Sequence, residues 1–153
     1  FVDGEHGVML EKPRGAVDNW FEPGHQFEWF YLLDTSALLS GSTLHTSLER
    51  AFSYAEEHGV QEGAVLAMLN LNGTVMDATQ RIWAQAEYLR ALALRPDSAG
   101  KVLAQLQALQ QQFLHAEGWY ECRDANGAVS RSDMPSTTPY HLATCLEGLQ
   151  RQI

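Results

Sequence analysis

The pair Asn-Gly stands at Asn72-Gly73 and again at Asn126-Gly127, and stretches with helical apolar spacing open near residues 24, 80 and 138. The step is roughly 54–58 residues each time, long enough for one supersecondary unit and too short for an independent domain. Each unit reads as a hairpin, a helix entered through a tight turn, and a second helix, and the last unit lacks its second helix. Such units cannot bury an apolar face alone and must stack, which predicts a helical array or an α/α toroid with inner and outer helices alternating. The expected fold class is therefore all-α, with small β-hairpins at one rim and the 153 residues forming a single domain. If the tight-entry helices are the inner row, their N-termini gather at that rim, and a site belongs there.

Residues 1–22 carry an Asp3-Gly4 turn signal, a short apolar piece (Val8, Met9, Leu10) and Pro13, a pattern of extended segments and loop. The chain opens on Phe1, not Met, and Phe1-Val2-Asp3-Gly4 reads as one arm of a hairpin, so a piece of a longer protein is expected. A first helix is predicted over 24–38, ending before Ser40-Gly41, and a second from a cap at Ser42 or Thr43 to His58-Gly59. Inside 64–77, Asn72-Gly73 predicts a tight hairpin with both central residues at positive φ. Thr79 is the expected cap of a third helix over 80–95, which Pro96 ends, and Ser98 caps a fourth over 99–115. After the second hairpin, Thr138 as N-cap and Pro139 as first helical residue open the last helix.

The first tight entry carries the chemistry. In Phe21-Glu22-Pro23-Gly24-His25-Gln26-Phe27-Glu28-Trp29, helical geometry puts His25, Glu28, Trp29 and Leu32 on one face. A lone histidine at a helix start is ordinarily a capping residue. Here the helix is too apolar for a solvated face, and His141 opens the last helix in a matching position. A helix N-terminus lowers an imidazole's pKa and keeps a neutral ring at hand, while Glu28 would hold the His25 ring and favour its charged form. His6, His45, His58 and His115 fall in loops, at exposed helix positions or at helix ends, and read as surface residues. On the third helix Arg81, Trp83, Gln85 and Glu87 make a polar and aromatic group suited to a sugar ring or an open-chain polyol. A metal is not expected, because two histidines and an acid lack a third strong ligand at i+4 or in a Cys/His cluster. With no Gly-x-Ser-x-Gly elbow and no glycine-rich phosphate loop, acid–base chemistry by a histidine pair is what remains.

The formal net charge of −9 argues against nucleic acid and against an anionic membrane surface, and leaves a polar small molecule or another protein as partner. Cys122 and Cys145 have neither metal spacing nor the density of a disulfide framework, which suits a reducing, cytoplasmic setting. No apolar run approaches the ~20 residues that span a bilayer.

Three stretches, Glu22-Pro23-Gly24-His25-Gln26-Phe27-Glu28-Trp29, Arg81-Ile82-Trp83-Ala84-Gln85-Ala86-Glu87 and Pro139-Tyr140-His141-Leu142, resemble in order and spacing the C-terminal part of the N-acylglucosamine 2-epimerase superfamily, its mannose isomerase branch especially. The resemblance implies part of an (α/α)6 barrel, a ring of six helix pairs of which this chain's pattern supplies fewer than half. It implies a reaction without metal or other cofactor, at C1 and C2 of a sugar, through an open-chain form and a cis-enediol(ate), with two histidines trading the proton. By motif, His25 and His141 resemble that catalytic pair and Glu28 the carboxylate that orients His25. Trp83 and Glu87 resemble sugar contacts, with Arg81 and Trp29 as further substrate-binding candidates. Trp29 stands where many 2-epimerases carry Ala or Ser, which favours aldose–ketose isomerisation of mannose or a related sugar; 2-epimerisation of an N-acyl hexosamine or a disaccharide is the alternative. The family's N-terminal half would add an arginine and a further histidine, and Arg14 is a pocket candidate within this chain. A reading of a different class is a non-catalytic helical-repeat module whose histidines are remnants. An open barrel edge would expose an apolar face and lead to self-association as a homo-oligomer.

Overall fold

The computed structural model describes residues 1–39 and 42–150, so the expected stop at Ser40-Gly41 lies outside the described residues. Two strands run straight into helices. β1 (Trp20–Phe21) leads into α1 (Pro23–Asp34), whose Pro23 loses nothing in a first turn where its N–H would have had no helical partner. α2 (Thr43–Gly59) follows, then β2 (Val60–Gln61), β3 (Ala64–Asn70) and β4 (Val75–Arg81), which leads into α3 (Ile82–Leu92). After α4 (Ala99–Phe113) come β5 (Leu114–His115), β6 (Gly118–Trp119), β7 (Cys122–Arg123), β8 (Val129–Arg131) and α5 (Thr138–Gln150). α3 packs between α1 and α5, while α2 covers α1 and α4 covers α3. The two rows are the inner and outer layers that the repeat predicts. Burial follows: every residue of α3 from Ala84 to Leu92 is buried, whereas α2 buries one face, Leu48, Ala51, Phe52 and Ala55, and its last residue, Gly59. Phe21, Phe27, Phe52, Leu69 and Leu92 fill the core between α1, α2, α3 and the sheet, and Ile82, Leu89, Leu109, Phe113 and Cys145 fill a second between α3, α4 and α5.

The all-α expectation needs correction. A six-stranded antiparallel sheet runs in the order β1-β3-β4-β7-β8, with β2 also on β3. The residues expected to start the third helix are its longest surprise: Thr79 and Gln80 stay in β4, Gln80 pairs with Arg123 and Arg81 with Cys122, and the chain turns helical only after Arg81, whose φ of −104° and ψ of 133° are extended. A polar strand such as Val75–Arg81 hides from a periodicity reading because its partner β7 lies some forty residues on in sequence.

The turns also differ in type. At both Asn-Gly sites only the glycine has positive φ (81° at Gly73, 78° at Gly127). Asn70 Oδ1 accepts the N–H groups of Asn72 and Thr74 (3.2 and 2.9 Å), and Asp124 Oδ1 those of Asn126 and Ala128 (2.8 and 2.9 Å). The same side-chain device therefore closes both hairpins, one period apart. The turn with two positive-φ residues is Glu62-Gly63, between β2 and β3. Two expected caps act elsewhere: Ser98 Oγ donates to Leu92 and Arg95 carbonyls and so ties off α3, and Thr138 is itself helical, with its hydroxyl donated to Glu121.

Candidate active site

The starts of α1, α3 and α5 border a cleft of about 780 Å³, walled on the sheet side by Thr79, Arg81 and Cys122 and lined by His25, Glu28, Trp83 and His141. Gly24 makes this convergence compatible with packing. A Cβ there would lie 2.7 Å from the Trp83 ring and 2.8 Å from Ala84 Cβ, so only glycine lets α1 meet α3 at this level. Trp83 consequently stands between the two imidazoles, with ring centroids 5.1 Å from His25 and 5.4 Å from His141. The hairpin turns at Asn72-Gly73 and Asn126-Gly127 contribute no lining to it; Asn126 and Gly127 line a separate cleft on another part of the sheet.

Each imidazole is held through Nδ1 by a carboxylate. His25 Nδ1 meets Glu11 Oε1 at 2.8 Å, and His141 Nδ1 meets Glu87 Oε1 at 2.7 Å. An ionised carboxylate only accepts, so Nδ1 is the donor in both pairs and Nε2 is left for the cleft. The carboxylate that orients His25 is thus Glu11, in the N-terminal arm, and not Glu28. The expected depression of the His25 pKa by the helix start is also reversed: the hydrogen bond His25 donates to Glu11 raises it above the ordinary imidazole value, outweighing the opposing effect of burial. Gln26, fully buried, fixes the arm. Its side-chain oxygen accepts the Met9 N–H (2.7 Å) and its amide donates to the Met9 carbonyl (3.0 Å), two residues before Glu11. Gln85 at the same turn of α3 holds Val65 of β3 in the same way, at 2.9 Å in both bonds.

Glu87, expected as a sugar contact, is fully buried behind His141. Its second oxygen takes the guanidinium of Arg90, itself buried and stacked over Tyr31 at 4.2 Å. Glu28 shares this corner: ligand atoms of Glu28, Glu87 and His141 lie within 4.8 Å of one another. Burial, and then the charge of Glu87, push the Glu28 carboxyl above its usual range. Glu87 already accepts from His141 at one oxygen and from Arg90 at the other, so a cation on these three residues would compete with bonds the side chains make among themselves.

Other expected residues spread out. Arg81 sits at the cleft 3.8 Å from Glu22, whose carboxyl is raised chiefly by burial. Trp29, 41 % exposed, lies with Leu32 and Phe1 in a neighbouring groove that touches the main cleft's residues only through His25 and Glu28. Arg14 is exposed beside Gly4, outside the cleft. The four remaining histidines are half-buried with partners, not free surface groups: His6 and His58 on either side of Tyr54, His45 on Asp34 at 2.9 Å, and His115 against Tyr120. Glu11, Gln26 and Glu121 were missed. Glu11 and Glu121 lie in irregular segments where no spacing rule points to them, whereas Gln26 and Gln85 carry a signal, an amide on the apolar side of an inner helix.

The family model for N-acylglucosamine 2-epimerase matches residues 3–145. A relative described as mannose-6-phosphate isomerase from Rhizobium meliloti (strain 1021) is 29 % identical, over 98 % of this chain and 44 % of its own length. Among solved structures, D-mannose isomerase superposes with a TM-score of 0.71 at 23 % identity, over 87 % of this chain and 37 % of its own. Cellobiose 2-epimerase from Bacillus thermoamylovorans B4167 superposes with a TM-score of 0.76 at 20 % identity, over 98 % and 43 %. The chain spans less than half the length of these proteins.

Proposed function

The chain belongs to the N-acylglucosamine 2-epimerase family, and on that premise we propose that the intact protein is a sugar isomerase that moves a proton between C2 and C1 of an open-chain aldose, mannose or a close relative, to give the ketose. The observation that carries this reading is the pair of imidazoles on either side of Trp83, each anchored at Nδ1 by its own carboxylate. One ring takes the C2 proton as the other donates to O1; the cis-enediol so formed is reprotonated at C1 and loses the O2 proton, which leaves the ketose and restores both rings. His25, whose charged form the Glu11 bond at Nδ1 favours, donates its Nε2 proton to O1, and His141 accepts the C2 proton at Nε2. Trp83 offers an apolar face to the carbon chain between them. The step needs no cofactor, since both proton transfers are made by the rings.

The relative of this chain named for mannose 6-phosphate raises the question of a phosphorylated substrate. Electrostatics favour the uncharged sugar. Of the two arginines lining the cleft, Arg81 faces Glu22 and Arg131 is paired with Asp133 at 2.6 Å, while Glu28 and Glu121 face the same space. The test is product analysis in heavy water with the intact protein, offering mannose and mannose 6-phosphate in parallel. Ketose carrying solvent deuterium, from mannose in preference to its phosphate, is expected. A C2 epimer without ketose would replace isomerisation by 2-epimerisation, and no exchange with any sugar would favour the interaction-module reading.

A further inference from the structure

Glu121 lines the same cleft and takes no part in holding either histidine. It is 5 % exposed, an unusual degree of burial for a carboxylate. One oxygen, Oε2, is fixed twice, by the Thr138 hydroxyl at 2.9 Å and by the Trp119 indole N–H at 3.1 Å. The backbone is fixed as well, because the Glu121 carbonyl accepts the N–H of Ile82, the first residue of α3. The other oxygen, Oε1, has no donor among the described residues. A carboxylate fixed through one oxygen, with the other open at the wall of a cleft, is an acceptor already oriented for a donor that enters it.

We propose that Glu121 is a substrate-binding residue, whose Oε1 accepts a hydroxyl of the sugar beyond C2 and so selects for the sugar that carries it. The inference rests on the sugar chemistry proposed above. Its physical basis is that an ionised acceptor held rigid pairs with a hydroxyl and not with a phosphate oxygen, and that such charge-assisted bonds are the stronger kind. Thr138 and Trp119 then act by holding Oε2, so that no reorientation accompanies binding. Thr138 lies three residues before His141, so the same helix start that presents the imidazole also fixes this acceptor.

The test uses binding, so that it does not depend on turnover. Mannitol, which has no carbonyl and cannot isomerise, and its mono-deoxy analogues are titrated calorimetrically into the intact protein and into Glu121→Gln. The glutamine oxygen can keep the Thr138 and Trp119 bonds while its NH₂ replaces the acceptor by a donor. The wild type is expected to bind one deoxy analogue about 10- to 100-fold more weakly than mannitol. Glu121→Gln should bind mannitol as weakly as that analogue and no longer tell the two apart. Unchanged discrimination in the variant overturns the proposal. Should the variant fail to fold, a crystal of the wild type with mannitol decides: a hydroxyl within hydrogen-bond distance of Oε1 supports it, and water there with every hydroxyl bound elsewhere overturns it. Binding selectivity without isomerisation would sink the reaction proposed above and leave this inference standing, and turnover with unaltered selectivity would do the reverse.

Discussion

At the scale of single residues, the charge state of His25 is the quantity most open to measurement. Its pKa is raised because Glu11 accepts the Nδ1 hydrogen bond, so the folded chain holds this proton more tightly than the unfolded chain does. The linked stability is fully present below the ordinary imidazole pKa of about 6.5 and is lost as pH rises through the raised value. Glu11→Gln is therefore expected to return the His25 titration, followed by NMR, towards the ordinary value, and to lower the melting temperature at acidic pH while leaving alkaline melts close to wild type. A His25 titration unmoved by the substitution would mean that another group sets its charge. The histidines themselves were legible, because Pro-Gly-His-x-x-Glu-Trp is a local pattern and His141 repeats its place at a helix start. Their partners were not. Glu11 reaches His25 from 14 residues away through an arm with no periodicity, and Glu87 was visible but assigned to the sugar because sequence does not tell which side of a helix faces a cleft and which faces another helix.

At the scale of elements, Gln26 and Gln85 make the same pair of bonds to neighbouring backbone, yet they should differ in effect. Replacing either by leucine strands one N–H and one carbonyl, at a cost of about 1–3 kcal/mol for each buried group left unpaired. Both variants are expected to unfold at lower urea. Only Gln26→Leu should also lower the pKa of His25, because of these two pairs of bonds only the one to Met9 reaches the arm that carries Glu11. Equal effects on the titration would show that the arm is fixed by something else. The helices were legible within a few residues since each keeps a 3.6-residue apolar stripe, and the Asn-Gly hairpins were located correctly. The extent of β4 was not, because a strand's length is decided by its partners across the sheet, and β4 pairs with β7 far along the chain.

At the scale of the whole molecule, two apolar surfaces stand open. Leu103 and Leu146, 56 % and 59 % exposed, border a groove of about 720 Å³ between α4 and α5, and Trp29, Leu32 and Phe1 border the one beside His25. Contiguous exposed apolar faces of this kind are where further protein surface packs. The domain is proposed as part of a ring whose other helix pairs cover them. The 153-residue chain made by itself is then expected to associate in light scattering, and Leu103→Glu with Leu146→Glu to shift it towards monomer. A monodisperse monomer without those changes would count against the partial-ring account. The central claim concerns the cleft, and solvent deuterium exchange at C2 of the sugar tests it most directly. In the intact protein, His25→Asn and His141→Asn are each expected to slow that exchange by ~10²–10⁴-fold with melting temperatures close to wild type. Exchange at a near-normal rate in either variant, above all in a His141→Asn protein that has lost stability instead, would contradict the two-histidine mechanism.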